Sequence, residues 1–205
     1  MKRLVIKVGT AVLTQDGQLA IERMENLVDL IAKLKNEKKL EVILVSSGAV
    51  GAGYTTLKLD KKIIANKQAL AAIGQPLLLK HYKKRFKEHN ISCAQMLFIA
   101  DDFDSRKRTK NAQDVMEILL ENKILPIINE NDVIANYELL FGDNDQLAAH
   151  VAFHFKADML AILSDIDGYY NKNPREFDDA VLQKEVSFID PSELQMTHTA
   201  NSEFA

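Results

Sequence analysis

The stretch RLVIKVGTAV, residues 3–12, decides how this chain is interpreted. It has the pattern of a buried β-strand that runs into a glycine turn, yet Lys7 places an ammonium group inside the apolar run. An ammonium group without a partner in an apolar environment is strongly destabilising. We therefore expect one of two arrangements: Lys7 reaches water from an exposed strand end, or an anion meets it.

Four further apolar runs follow the first one along the chain. They are LEVILVSS (40–47), ISCAQMLFI (91–99), ILPIIN (124–129) and DMLAILSD (158–165). The runs are nearly continuous rather than alternating, and the segments between them are long enough for helices. This pattern predicts an α/β fold in which a mainly parallel central sheet is covered on both faces, a three-layer αβα sandwich. We expect residues 1–205 to form a single domain of this type.

The segments between the strands predict the helices of the outer layers. Apolar residues recur at helical spacing in residues 21–39, 105–122 and 144–155. The sequence predicts two helices in residues 60–89, because Pro76 is expected to end or kink the first of them near Gly74.

Composition excludes several classes of function. With 26 basic and 29 acidic residues the net charge is -3, which leaves no electrostatic footprint for nucleic acid or for an anionic membrane surface. The single cysteine, Cys93, forms no disulfide framework, and no apolar run is long enough for a membrane span. The sequence predicts a soluble cytoplasmic protein that binds neither nucleic acid nor membrane.

Polar residues gather where the predicted strands end. These residues are Lys7, Gly9 and Thr10 after the first strand, Ser47 and Gly48 after the second, Asn129 and Asp132 after the fourth, and Ser164 and Asp165 after the fifth. Open α/β sheets bind ligands at the carboxyl ends of their strands. The glycine turns suit a phosphate or a carboxylate, although tight connections between strand and helix use the same residues. The predicted site is therefore an anion site along this edge.

A second polar cluster, Gly142-Asp143-Asn144-Asp145, directly precedes a predicted helix. Asp145 is a candidate partner that fixes the direction of Lys7. Helix capping is the alternative role for Asp132 and for Asp145, since aspartate is favoured before an amphipathic run.

No metal site is predicted from the sequence. His150 and His154 share one helix face but lack a third convergent ligand, so packing is the favoured interpretation. The stretch DIDGYYNKNP (165–174) places its glycine too early for a calcium loop. Lys107 and Arg108 fit a solvated helix start better than an anion clamp.

Six segments together resemble the glutamate 5-kinase family, a branch of the amino acid kinase superfamily. They are KVGTAVL, VSSGAVGAG, KQALAAIGQ, INENDVI, FGDNDQLAA and LSDIDGYYNKNP, and they cover almost the whole chain. The Lys-x-Gly turn and the Asp-x-Asp-Gly-x-Tyr segment are shared across the superfamily. The order SSGAVGAG, NEND, GDND is what points to the glutamate branch.

The resemblance implies transfer of a phosphoryl group from ATP, with Mg²⁺, to the side-chain carboxylate of L-glutamate. This is the first step toward proline, and the family implies proline as a feedback inhibitor and a homo-oligomeric assembly. Lys7 would meet the phosphoryl group and Asp145 would organise the catalytic lysines. The resemblance assigns the other positions as follows: glutamate to Ser47, Gly48, Asp132 and Asn144, with Thr10 and Asn129 lining the cleft, and the nucleotide to Lys7, Gly9, Ser164 and Asp165.

The sequence ends at MTHTANSEFA (196–205), before the point where the family continues with a Thr-Gly-Gly segment and a second phosphate-facing lysine. We therefore expect a kinase domain that lacks its C-terminal part and carries no accessory RNA-modification-type domain. Two alternatives stay open. One is a relative with another acceptor, such as N-acetylglutamate, aspartate, carbamate or UMP, and the other is a non-catalytic sensor of glutamate or nucleotide.

Overall fold

The computed structural model describes residues 2–135 and 144–187. The chain divides into two compact units, one ending at Leu163 and the other beginning at Ser164. The elements of the larger unit are, in chain order, β1 (Arg3–Val8), α1 (Thr10–Leu13), β2 (Thr14–Gln15), β3 (Gln18–Leu19), α2 (Ile21–Asn36), β4 (Glu41–Ser46), α3 (Ala49–Thr56), α4 (Ile64–Glu88), β5 (Cys93–Phe98), α5 (Asp101–Asp104), α6 (Arg106–Glu121), β6 (Leu125–Glu130), α7 (Asp145–His154) and β7 (Met159–Leu163).

The five long strands form one sheet in the order β5-β6-β4-β1-β7, and each neighbouring pair is parallel. The predicted parallel sheet is therefore confirmed. Its central strands β1, β4 and β6 are almost entirely buried because both faces are covered. The short antiparallel hairpin of β2 and β3 was not predicted, since two residues per strand give no period to detect.

Helices cover both faces of this sheet, which confirms the three-layer prediction. The side chains of Leu4, Ile6 and Val8 join a core with α2, α3 and α4, whereas Val5 joins a second core with α6 and α7. From β1 through β4 to β5 the chain adds strands toward one side of the sheet, and after β5 it adds them toward the other side. Right-handed crossovers therefore place α6 and α7 on the face opposite to α2, α3 and α4. Because side chains alternate along a strand, the side chain of Lys7 lies on the same face as that of Val5 and points toward α7.

Helix α4 corrects one prediction, because residues 60–89 contain one long helix of 25 residues and not two. Pro76 lies inside it. A proline in a helix interior costs about 3 kcal/mol, but a buried stripe at four-residue spacing continues across it: Leu70, Gly74, Leu78, Tyr82 and Phe86. Burial of each large side chain contributes roughly 1.5–3 kcal/mol, which outweighs the break. Neither α4 nor any other helix among the described residues is long and apolar enough to cross a bilayer.

The glycines after β4 serve two different structural purposes. Only Gly48 adopts a left-handed backbone, with φ of 101°, whereas Gly51 and Gly53 lie within α3. A Cβ atom on Gly53 would lie 1.9 Å from the carbonyl oxygen of Leu70, and one on Gly74 would lie 1.7 Å from that of Ala49. These glycines let the backbones of α3 and α4 come into contact, and this contact fixes the position of α3 after the end of β4.

Within its described residues, 164–187, the smaller unit contains an antiparallel hairpin of β8 (Tyr169–Tyr170) and β9 (Leu182–Gln183). Lys172 pairs with Asp179 at 2.5 Å, and the hydroxyl of Tyr170 donates to Asp167 at 2.7 Å. Most of the described residues here are exposed or half-buried, so local polar contacts hold much of this unit together.

Candidate functional site

Lys7 meets an anion, as the second of the two predicted arrangements requires. Its side chain is only 2% exposed, and its Nζ lies 2.6 Å from Oδ1 of Asp145. Asp145 is the first residue of α7 and is 52% exposed. A carboxylate is favoured at a helix N-terminus by the helix dipole. The pair therefore places a buried cation behind a carboxylate that reaches the surface.

Gly9 keeps space beside that cation. A Cβ atom at this position would lie 3.3 Å from Nζ of Lys7. Its backbone is extended, with φ of -77°, so the left-handed freedom that the sequence suggested is not what the position uses. The amide of Gly9 donates to the carbonyl oxygen of Leu163 at 3.3 Å. The glycine thus serves close approach and not a special turn.

Asn144 ties three parts of the sheet edge together. Its Nδ2 donates to Oγ of Ser47 at 3.2 Å and to Oδ1 of Asn129 at 2.8 Å. All three residues are buried. Asn144 occupies the N-cap position of α7 with a left-handed φ of 67°. Capping by Asp145 is therefore wrong, because Asp145 already belongs to the helix.

The second strand end is held against the first by its backbone. The amide of Ser47 donates to the carbonyl oxygen of Val8 at 3.1 Å. Gly48 follows as the N-cap of α3, and the exposed Thr10 begins α1. The structure thus brings Ser47 to the cluster around Asn144, while Gly48 and Thr10 begin the helices that follow β4 and β1.

Asp132 lies in a turn directly after β6, and its alternative role as a helix cap stays a prediction, because residues 136–143 lie outside the described part of the chain. Burial raises the pKa of its carboxyl group, and the charge of Lys67 opposes that rise. Burial destabilises the charged form of a carboxyl group, and a cation that binds beside it stabilises that form. Asp132 is consequently suited to an ammonium ligand.

This raised pKa predicts the stability of an Asp132→Asn variant. The folded chain binds the proton more tightly than the unfolded chain, so the carboxyl stabilises the fold below its ordinary pKa of 3.8. That contribution is lost as the pH rises through the folded value. We expect the variant to melt a few degrees above the parent at pH 7.5 without ligand, and the difference to vanish toward pH 4. Thermal unfolding at both pH values measures this, and a lower melting temperature at pH 7.5 contradicts it.

Two of the predicted site residues lie in the smaller unit. Ser164 and Asp165 belong to the smaller unit, where Asp165 pairs with Arg175 and accepts from Oγ of Ser164 at 3.3 Å. The hydrogen bond from Arg175 is the main reason that the pKa of Asp165 is lowered. Their contact with a nucleotide stays a prediction. Gly142 and Asp143 lie outside the described residues.

The histidines of α7 make ring contacts. The rings of His150 and His154 stack on Phe103 with centroid distances of 5.0 and 5.1 Å. Burial and the neighbouring His150 lower the pKa of His154. Lys107 and Arg108 lie in the first turn of α6, where Arg108 pairs with Asp102 at 3.4 Å.

Sequence reasoning assigned no role to Gln75. Its side chain is buried on α4 and donates to the carbonyl oxygen of Glu130, just before the turn that carries Asp132. The available signal was a polar residue between apolar residues of a helix, next to Gly74, which requires a hydrogen-bond partner when it is buried.

Solved structures of kinases share this fold. One is an isopentenyl phosphate kinase, with a TM-score of 0.62, 16% identity, and coverage of 88% of this chain and 78% of that one. Another is the UMP kinase from Ureaplasma parvum, with a TM-score of 0.62, 17% identity, and coverage of 100% and 82%. The parallel sheet with helices on both faces is therefore the fold of these kinases.

The sequence comparisons are more specific. The profile of the amino acid kinase family matches residues 2–205. The glutamate 5-kinase of Wolinella succinogenes is 55% identical over 100% of this chain and 80% of the relative, and that of Leishmania donovani is 52% identical over 100% and 77%. The glutamate 5-kinase of Helicobacter hepaticus is 47% identical over 99% and 76%. The chain belongs to the amino acid kinase family, in its glutamate 5-kinase branch.

Proposed function

We propose that this chain is the cytoplasmic kinase domain that transfers a phosphoryl group from ATP to the γ-carboxylate of L-glutamate. The product is L-glutamyl 5-phosphate, and the reaction is the first step of proline biosynthesis. The observation that carries the proposal is the buried ammonium of Lys7, 2.6 Å from Asp145 at the carboxyl end of β1. The glutamate 5-kinase relatives, at 47–55% identity, support the same acceptor.

This chemistry needs charge compensation and alignment more than it needs a base. The acceptor carboxylate is already ionised near pH 7. Two anions must be brought together in line, and fixed positive charge stabilises the transition state between them. Lys7 supplies that charge, and Asp145 holds its Nζ in one direction.

The residues around Lys7 fit a phosphate ligand. The missing Cβ of Gly9 leaves room beside Nζ that any larger residue would fill. Mg²⁺ in such sites is held largely by phosphate oxygens and water, and it neutralises phosphate charge when ATP is bound. Ser164 and Asp165 are the proposed nucleotide contacts of the smaller unit.

Glutamate is recognised by charge and by hydrogen bonds. Asp132 binds its α-ammonium, because burial raises the pKa of this carboxyl group despite the charge of Lys67, and a bound cation offsets that cost. Both N–H groups of Asn144 already donate, one to Ser47 and one to Asn129. Asn144 therefore fixes the hydroxyl of Ser47, whose own hydrogen is directed to a substrate carboxylate beside Gly48. Thr10 and Asn129 line the same cleft.

An assay with several acceptors tests this proposal. The full-length protein is supplied with Mg²⁺-ATP and with glutamate, aspartate, N-acetylglutamate or UMP, and ADP formation is followed. We expect glutamate to exceed aspartate in kcat/KM by roughly 10- to 200-fold, the effect of one methylene, and N-acetylglutamate by more, because it carries no ammonium group for Asp132. A faster reaction with another acceptor contradicts the proposal. Binding of glutamate without turnover supports a sensor instead.

The proposal also includes inhibition by proline and a homo-oligomeric assembly. Addition of proline to the same assay is expected to raise the apparent KM for glutamate. Light scattering of the purified protein measures the mass of the assembly, and a monomer contradicts this part.

A further inference from the structure

The turn that carries Asp132 is held by one face of α4. Nε2 of Gln75 donates to the carbonyl oxygen of Glu130 at 3.3 Å, and Nε2 of Gln68 donates to that of Val133 at 3.3 Å. Gln68 and Gln75 are seven residues apart, about two helical turns, so both lie on the same side of the helix. The two bonds bracket Asp132 at both ends of its turn.

Gln75 is the stronger of these two anchors. It is only 9% exposed, whereas the bond of Gln68 is at the surface. Its Oε1 accepts from Nε2 of Gln95 on β5 at 3.2 Å, so the carboxamide is held at both ends. A buried carboxamide is destabilising without such partners, which fixes its orientation. The bond to Glu130 therefore has a defined geometry.

The position of Gln75 is set by the neighbouring glycine. Gly74 lies at the point where α4 touches the backbone of α3, close to the carbonyl oxygen of Ala49. Residue 75 consequently cannot shift along the sheet edge without opening the α3–α4 contact. A rigid helix crossing thus sets the place of a loop carboxylate.

We infer that Gln75 is a positioning residue for the ammonium-binding carboxylate of the acceptor site, acting through the backbone of Glu130 on Asp132. This inference rests on the proposed function. Gln75 is assigned no contact with substrate. Because an ammonium-carboxylate contact is made equally in the ground state and the transition state, its loss raises KM and leaves kcat nearly unchanged.

The test is a Gln75→Met variant of the full-length protein, which keeps the volume and removes both hydrogen bonds. We expect the KM for glutamate to rise roughly 5- to 30-fold, as the loss of such a bond predicts. The KM for ATP and kcat should change less than about twofold. Gln113→Met is the matched control, because Gln113 donates to the carbonyl oxygen of His154 at 2.9 Å, on the far helix layer. The control should lower stability without a change in the KM for glutamate.

A double variant separates positioning from general damage. In the Asp132→Asn background, Gln75→Met should add almost nothing to the KM for glutamate, because both changes act on one contact. Gln75→Glu provides a second test in case the methionine variant unfolds, since it keeps the bond from Gln95 and loses the donor to Glu130.

The inference is overturned if a folded Gln75 variant keeps the parent KM for glutamate. It is also overturned if the rise in this KM in the double variant equals the product of the rises in the two single variants. Unfolding of both Gln75 variants also overturns it, because Gln75 would then be a core residue. A parent protein that does not phosphorylate glutamate overturns the proposed function instead, so the two failures are distinguishable.

Discussion

A Lys7→Met variant of the full-length protein is expected to lose turnover by roughly 10²- to 10³-fold, the effect of removing one preorganised charge from a transition state. Lys7 is buried, and Asp145 is its partner at 2.6 Å. Methionine keeps an unbranched apolar side chain that is one atom shorter than lysine, and the half-exposed Asp145 can be solvated. The fold is therefore expected to survive, while phosphoryl transfer loses the charge that offsets the repulsion between two anions.

Steady-state kinetics with glutamate and ATP measure this effect. The apparent KM for glutamate should change far less than kcat, because the lost interaction strengthens as the phosphoryl group moves. Lys110→Met is the matched control, since Lys110 and Asp114 form a pair at the same 2.6 Å but with both side chains more than half exposed. That exposed ion pair contributes little to stability. A KM that rises as much as kcat falls would contradict the catalytic role of Lys7.

The second large effect is structural. We expect Gly74→Ala to destabilise the protein by more than about 3 kcal/mol, beyond the usual range for an added methyl group in a packed core. The new Cβ would lie 1.7 Å from the carbonyl oxygen of Ala49 and 2.6 Å from the amide nitrogen of Gly53. Both are backbone atoms, so no side chain can rotate away, and α3 must separate from α4.

Urea unfolding followed by circular dichroism measures the loss. Ala72→Leu is the control, because it adds more carbon to the exposed side of the same helix and leucine is a good helix former. The control is expected to lie within about 0.5 kcal/mol of the parent, as for surface substitutions in general. An unchanged urea midpoint for Gly74→Ala would show that the α3–α4 contact is less tight than the structure has it.

The sequence alone determined the class of fold and predicted that its polar candidate residues share one edge of the sheet. Five near-continuous apolar runs separated by helical patterns left few topologies, because parallel strands require helices between them. The same reasoning placed Lys7, Ser47, Asn129 and Asp132 at strand ends, since parallel strands present their carboxyl ends on one side. For Lys7 the sequence left two arrangements, exposure to water or an anionic partner, because a buried charge is not stable alone.

Apart from the pair of Lys7 and Asp145, only the tertiary structure decided which partner each site residue finds. The bonds of Asn144 to Ser47 and Asn129 join residues that are 97 and 15 positions apart, and no local pattern contains such pairs. Pro76 predicted a helix break, but packing of α4 on the sheet and on α3 overrode that local preference. Gly53 and Gly74 have ordinary helical neighbours in the sequence, and their meaning depends on a backbone that approaches from another helix. Local propensity is a short-range property, whereas contact between distant segments depends on how the whole chain packs.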